Sequence, residues 1–205
     1  MYRAFILMLA ALAFTSLAVA RDDELISRGK QLSEQCVACH AADGNSSVPV
    51  WPKIAGLGVA YMYKQLNDFK QGMDGPRPNA VMYGIVEDLS AQDMQDLAEY
   101  YASQKMLPGV AQADKANLGA QIYRVGNKAT GVAACAACHG PNGRGYNLAK
   151  FPRLSGQHSE YIAQQLLAFK NGERSNSANQ IMQEVAKRLT DEEIEAVSSY
   201  VSGLY

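Results

Sequence analysis

Apolar side chains recur every three or four positions along much of the chain, a period that predicts helices. Residues 24–36 and 114–124 follow it, as do residues 60–71 and 160–171, which carry Tyr, Leu and Phe at helical spacing. No convincing alternation of apolar and polar positions, which predicts strands, is present in the sequence. We therefore predict an all-α fold.

Polar signals mark where the last helix of each half begins. Ser90 and Thr190 are each followed three residues later by an acid. This spacing is typical of a capping box, in which the hydroxyl and the acid bind each other's backbone N–H groups. The two helices are predicted to end near Ser103 and Ser202.

The second half of the chain repeats the first at an offset near 100 residues. Residues 52–102 and 152–202 align without a gap, and twelve of the 51 positions are identical. The similarity stops at two copies, which indicates a tandem duplication rather than a repeat array. We expect one domain over residues 21–107 and a second over residues 108–205, divided in a stretch that contains Pro and Gly.

Residues 1–20 have the pattern of a secretory signal peptide. Arg3 precedes an apolar run, and Ala18, Val19 and Ala20 end it with the small residues that signal peptidase accepts. The run is short for a membrane span, and charged residues follow at once. The protein is therefore expected in an exported compartment, the periplasm, with an uncleaved membrane anchor as the alternative.

The charge of the chain is nearly balanced, with 19 Lys and Arg against 20 Asp and Glu and a formal net charge of −1. Because no basic block is present, nucleic acid and anionic membrane surfaces are poor partner candidates. The charge pattern therefore indicates no binding partner for the chain.

All four cysteines belong to two copies of the motif Cys-x-x-Cys-His. The copies comprise Cys36, Cys39 and His40 in the first half, and Cys135, Cys138 and His139 in the second. The motif is typical of c-type haem attachment, in which each thiol adds to a haem vinyl group and the histidine binds the iron. A zinc site needs four ligands and a thioredoxin-type dithiol needs a βαβ context, and neither half supplies them. We predict two covalently bound haem c groups.

A methionine is the usual second axial ligand of an electron-transfer haem c. Met182 is the only methionine after the second motif, and Met82 occupies the equivalent position in the first repeat. Core packing is the simpler explanation for Met62, Met94 and Met106. Met73 is rejected as a ligand because its repeat equivalent is Glu173. Met82 and Met182 are thus the predicted ligands.

Several polar residues are candidates for the surroundings of the haems. Asn79 and Asn179 stand three residues before the methionines, either to donate to the sulfur or to close a turn. Pro52 and Pro152 each open a Pro-x-Ile/Leu-x-Gly segment, in which a carbonyl could accept the histidine ring N–H, although rigid turn geometry alone would explain the prolines. His158 has no repeat partner and is predicted to begin a helix or lie at the surface, with a ligand role as the alternative. Contact with haem propionates or simple helix packing would explain Tyr61, Gln65, Tyr161 and Gln165.

Beyond residue 20 the chain resembles the dihaem cytochrome c4 family. The resemblance rests on the two motifs, on Tyr-x-x-x-Gln-Leu after a Pro-x-Ile/Leu-x-Gly segment in each half, and on the sequence Cys-His-Gly-Pro-Asn-Gly that begins at Cys138. It implies two tandem class I cytochrome c domains, with their haems near a pseudo-twofold axis. It also implies that the first and last helices of each domain cross at a glycine against an aromatic, at Gly29 with Tyr100 and at Gly119 with Tyr200.

The resemblance implies a periplasmic electron carrier rather than an enzyme, since two methionine-ligated irons are closed to substrate. The implied partners are an upstream cytochrome or quinol-oxidising complex and a terminal oxidase, with loose membrane association. The alternative is a dihaem subunit of a larger oxidoreductase, such as a sulfide-oxidising flavocytochrome, or a dihaem peroxidase, which needs one open iron. Residues 74–78 differ from residues 174–178, so the loops that bear the methionines differ and the two haem potentials need not match.

Overall fold

The computed structural model describes residues 24–204, so the signal peptide predicted over residues 1–20 lies outside the described part. The first repeat folds into helices α1 (24–32), α2 (Glu34–His40), α3 (Val59–Lys70), α4 (Ala80–Val86) and α5 (Ala91–Ser103). The second repeat folds into α6 (Ala116–Arg124), α7 (Ala136–His139), α8 (Ser159–Lys170), α9 (Ile181–Arg188) and α10 (Asp191–Ser202), with a 3-10 turn at Ala178–Gln180 before α9.

The predicted all-α class is confirmed. Between residues 24 and 204 the only extended pairings are two isolated bridges, Asn127 with Val132 and Tyr146 with Phe151. The first helix is shorter than predicted because the chain turns at Ser33, whose hydroxyl donates to the Lys30 carbonyl at 2.7 Å. Within the same residues, no helix has the length and apolar character needed to cross a membrane.

Both predicted capping boxes form. The Ser90 hydroxyl accepts from the backbone N–H of Asp93 at 3.1 Å, and the Asp93 carboxylate accepts from the Ser90 N–H at 3.0 Å. Thr190 and Glu193 repeat the arrangement at 3.1 and 2.8 Å. The caps pair N–H groups at the starts of α5 and α10 that have no partner within their helix, and both helices end where the sequence predicts.

The first and last helices of each repeat cross at a glycine, as the resemblance implies. A Cβ atom on Gly29 would lie 2.0 Å from a backbone oxygen of α5 and 2.7 Å from the Cβ atom of Tyr100. A Cβ atom on Gly119 would lie 2.3 Å from a backbone oxygen of α10 and 2.5 Å from the Cβ atom of Tyr200. Only hydrogen fits at these positions, so the two glycines set how closely the crossing helices approach.

Each repeat has its own apolar core. Leu97 and Tyr101 are fully buried in the first core, and Ile122 and Ile194 in the second. The first core also contains Met62, Met94 and Met106, in agreement with the prediction that these methionines fill space.

Polar contacts bridge the two repeats. The Nε2 atom of His158 lies 2.7 Å from the carbonyl oxygen of Ser46, and the side-chain oxygen of Asn147 accepts from the N–H of Ala60 at 2.9 Å. His158 immediately precedes α8, in agreement with its predicted place at the start of a helix. Residues of the second repeat therefore hold the backbone of the first.

Candidate functional site

One cavity of about 850 Å³ is lined by both repeats. Every predicted attachment and ligand residue contributes to its wall, namely Cys36, Cys39, His40, Met82, Cys135, Cys138, His139 and Met182. Much of the remaining wall is apolar, with side chains such as Ile54, Phe69 and Phe169. The fold thus brings two separate motifs and two distant methionines to one space.

Each pair of cysteines lies on a single helical turn. Cys36 and Cys39 belong to α2, and Cys135 immediately precedes α7, which contains Cys138. Residues three apart share one face of a helix, and both cysteines of each pair line the cavity. Burial raises the pKa of the Cys36 thiol and raises the pKa of the Cys135 thiol to about 11. Such thiols stay protonated at neutral pH, unlike those of a redox-active dithiol.

A backbone carbonyl orients each motif histidine, as the sequence suggested. Nδ1 of His40 lies 2.8 Å from the oxygen of Pro52, and Nδ1 of His139 lies 2.9 Å from the oxygen of Pro152. A carbonyl oxygen only accepts, so Nδ1 carries the hydrogen and Nε2 keeps its lone pair. Burial lowers the pKa of both histidines, although the proline carbonyls oppose this shift. A neutral ring with a free Nε2 is the form that binds iron.

Matching turns place the two prolines opposite the histidines. The carbonyl oxygen of Gly44 accepts from the N–H of Ile54 at 2.7 Å, and that of Gly143 accepts from the N–H of Leu154 at 2.7 Å. Gly44 and Gly143 have φ values of 76° and 66°, in the left-handed region that favours glycine. The turns fold the segment after each motif back onto the segment that follows each proline.

Met82 and Met182 lie in the first turn of the short helices α4 and α9, rather than in loops as the sequence suggested. The N–H of Met82 donates to the side-chain oxygen of Asn79 at 2.9 Å, whereas the N–H of Met182 donates to the hydroxyl of Ser177 at 3.1 Å. Asn179 lies in the left-handed region with a φ of 50°. Of the two roles weighed for the asparagines, the turn role applies at Asn79, and different residues anchor the two methionines.

Two buried arginines, which no motif of the sequence indicates, lie between the repeats. Arg77 donates to the Tyr161 hydroxyl at 2.7 Å, and Arg174 donates to the Tyr61 hydroxyl at 3.2 Å. Both guanidinium groups also donate to the side-chain oxygen of Gln65, at 2.6 and 3.0 Å. Burial and then the nearby charge of Arg174 lower the pKa of Arg77. The tyrosines whose role was open thus hold cations from the opposite repeat.

The two arginines occupy non-equivalent positions of the repeats, so aligning the halves does not pair them. In space they nevertheless occupy matching places, because each guanidinium stacks on the repeat-equivalent phenylalanine of its own repeat. The Cζ atom of Arg77 lies 4.2 Å from the ring centroid of Phe69, and that of Arg174 lies 4.4 Å from the ring centroid of Phe169. The one available signal in the sequence was that the segments preceding the two methionines differ.

The chemistry of the cavity fits two haem groups. Apolar walls suit a porphyrin, the thiols suit its vinyl groups, and a free Nε2 suits its iron. The side chains of Arg77 and Arg174 line the same cavity, and within residues 24–204 their hydrogen bonds go to neutral oxygens. Two buried positive charges are therefore placed to receive carboxylates such as the propionates of haem.

Comparisons with known proteins agree on one family. The family model for cytochrome c matches residues 26–105 and again residues 118–204. A cytochrome c4 from Azotobacter vinelandii is 42% identical over 212 residues, and the match covers 100% of both chains. The crystal structure of reduced recombinant cytochrome c4 from Pseudomonas stutzeri is similar with a TM-score of 0.83 at 43% identity, covering 86% of this chain and 97% of that chain.

A further relative is named for its partner. A thiosulfate dehydrogenase electron acceptor from Stutzerimonas stutzeri is 32% identical over 205 residues, which covers 95% of this chain and 92% of that protein. The similarity therefore extends over nearly the full length of both proteins.

Proposed function

This chain belongs to the dihaem cytochrome c4 family, and from that membership we propose which residues hold its two haems and where its electrons go. It is an electron-transfer protein with two covalently bound haem c groups. Each haem supplies an iron that cycles between the ferric and ferrous states. The remaining assignments concern the residues of this chain.

One haem is assigned to each motif. The attachment residues are Cys36 and Cys39 in the first repeat and Cys135 and Cys138 in the second, and the axial ligand pairs are His40 with Met82 and His139 with Met182. The observation that carries this assignment is the histidine–proline hydrogen bond, which leaves Nε2 free in both repeats. His40 and His139 line the same cavity as the repeat-equivalent methionines Met82 and Met182.

The assigned residues have separate roles. The proline carbonyls hold the histidine rings against rotation and increase their basicity toward iron. A methionine sulfur stabilises reduced iron and raises its potential. An iron held by one histidine and one methionine would have no position left for substrate, which favours a carrier over a peroxidase.

Replacement of single methionines tests the ligand assignment. We expect Met82→Ala and Met182→Ala each to remove about half of the near-infrared absorption band of methionine-ligated ferric haem, because one sulfur ligand of two is lost. Met73→Ala is the control, since Met73 also lines the cavity and should leave the band intact. A full-strength band in Met82→Ala, or a loss in Met73→Ala, would show the assignment to be wrong.

We place the carrier in the periplasm, with residues 1–20 removed as a signal peptide and one haem in each of the domains 21–107 and 108–205. The haem motif supports this location because bacterial c-type haem is attached outside the cytoplasm. N-terminal sequencing of the exported protein should find Arg21 first. An N-terminus at Met1 would favour the uncleaved anchor.

The proposed route runs from a quinol-oxidising complex or an upstream cytochrome to a terminal oxidase. A second candidate donor is a dehydrogenase, which is supported by the likeness to a thiosulfate dehydrogenase electron acceptor. Rapid mixing of the reduced protein with membranes that contain a terminal oxidase should give reoxidation that is blocked by cyanide. Fast reduction of the oxidised protein by a thiosulfate dehydrogenase, but not by membranes that contain a quinol-oxidising complex, would favour the second candidate.

A further inference from the structure

One peptide group links the first motif histidine to the second repeat. The Pro52 carbonyl oxygen accepts from Nδ1 of His40 at 2.8 Å. The N–H of the same peptide group, which belongs to Lys53, donates to the side-chain oxygen of Gln157 at 2.8 Å. These four residues form a continuous run of hydrogen bonds, the His40 relay, from the histidine ring to a side chain of the other repeat.

Both ends of the Gln157 amide hold this segment. Its Nε2 atom donates to the carbonyl oxygen of Lys53 at 2.7 Å, and the residue is only 4% exposed. The Lys53 ammonium in turn donates to the carbonyl groups of Gly156 and Leu107, at 3.0 and 2.8 Å. The orientation of the relay is therefore set by the second repeat and by the segment that connects the repeats.

The other motif histidine has no such extension. Pro152 accepts from Nδ1 of His139 at 2.9 Å, but the residue equivalent to Gln157 is Leu57, whose side chain has no hydrogen-bonding group. The duplication has thus produced one histidine with the relay and one without it. The second haem is an internal reference for the first.

We propose that Gln157 is a positioning residue that tunes the haem of the first motif through the His40 relay, which rests on the assignment of His40 as an iron ligand. When the N–H of a peptide group donates a hydrogen bond, the carbonyl oxygen of the same group becomes more negative and accepts more strongly. The bond from Lys53 to Gln157 therefore strengthens the bond from His40 to Pro52. A stronger acceptor at Pro52 makes the His40 ring a stronger donor to iron and favours the ferric state. The second repeat thereby acts on the first iron without contacting it.

Gln157→Leu tests the proposal in the intact dihaem protein, because it installs the side chain of the equivalent position. The ferric–ferrous equilibrium of the first haem should shift about threefold toward ferrous iron, while the second haem keeps the parent value. A redox titration followed by the NMR signals of the haem methyl groups measures both, with Met82→Ala and Met182→Ala assigning the signals. Gln157→Glu keeps an acceptor for the relay and should return the first haem toward ferric iron.

A change of packing alone predicts the opposite sign. Loosened contacts between the repeats admit water, which stabilises the extra positive charge of ferric iron. A shift toward ferric iron in Gln157→Leu, an equal shift at both haems, or no shift overturns the proposal. Asn147→Ala is the matched control, since it removes a different hydrogen bond between the repeats, to the N–H of Ala60, and should leave both equilibria unchanged.

The absorption spectrum separates two kinds of failure. If the parent shows the full methionine–haem band and Gln157→Leu shifts nothing, the relay is wrong and the ligand assignment stands. If Met82→Ala leaves that band intact, the ligand assignment itself is wrong and the proposal falls with it.

Discussion

Arg77 of the first repeat donates a hydrogen bond of 2.7 Å to the hydroxyl of Tyr161 in the second. The reciprocal contact joins Arg174 to Tyr61 at 3.2 Å. Each repeat thus holds a cation of the other beside the cavity assigned to the haems. Because charges act over distance in a buried site, the contact between the repeats is part of the electrostatic surroundings of both irons.

Removal of either buried cation should make the haems easier to oxidise. Arg77→Leu and Arg174→Leu each take away a positive charge that disfavours ferric iron. We expect the free energy of oxidation to fall by about 1 kcal/mol, which shifts the ferric–ferrous equilibrium roughly fivefold toward ferric iron. Arg124→Leu is the control, because Arg124 stacks on Tyr200 at 5.7 Å in an exposed position. Spectroelectrochemical titration measures the shift. Equal shifts in the Arg77 and Arg124 variants would contradict this role for the interface.

Different side chains should anchor the two methionines. Asn79→Ala removes the cap that holds the N–H of Met82, and Ser177→Ala removes the one that holds Met182. A lost cap costs about 1 kcal/mol, so added imidazole should bind about fivefold more tightly at the affected haem. Spectral titration of each variant measures this. The prediction is wrong if Asn79→Ala affects the second haem or if either variant binds imidazole like the parent.

The helix crossing in the second repeat should not tolerate a methyl group. Gly119→Ala places a Cβ atom 2.3 Å from a backbone oxygen, and we expect a loss of about 1–3 kcal/mol in the free energy of unfolding. Gly84→Ala is the control, because its Cβ atom in α4 would meet nothing within 4 Å, and it should stabilise by about 1 kcal/mol or less. Denaturant unfolding followed by circular dichroism compares them. Unchanged stability in Gly119→Ala would mean that the helices can separate at no cost.

Acid should weaken the fold through the carboxylate of Asp93 in the capping box of α5. Hydrogen bonds from Ser90 hold the pKa of Asp93 below its ordinary value of 3.8, so the unfolded chain binds more protons near that pH. The contribution of Asp93 to the free energy of unfolding should therefore be fully present above about pH 5 and be lost as the pH falls toward the folded-state pKa.

Denaturant unfolding of the dihaem protein between about pH 7 and about pH 3 measures this dependence. Asp93→Asn is the control, because its amide does not titrate and its stability should fall less steeply with acid. An equal loss of stability on acidification in the parent and in Asp93→Asn would contradict the assignment to Asp93.

The sequence by itself determined the helical class, the duplication and the presence of two haems. Each depends on a local pattern: helical periodicity, the capping boxes at Ser90 and Thr190, and the spacing of cysteines and histidine within one turn. Comparison of the halves also predicted Met82 and Met182 as ligands, and it pointed to the two proline segments, in which the Pro52 and Pro152 carbonyls orient the histidines.

Only the tertiary structure decided what lies between the repeats. Arg77 and Arg174 reach reciprocal places from non-equivalent positions, and Gln157 reaches the peptide group of Pro52 and Lys53 from the other repeat. These contacts join residues that are about 80 to 115 positions apart, so they depend on how two finished domains dock. Docking is governed by surface shape and by the pairing of buried polar groups, which leave no period or motif along the chain.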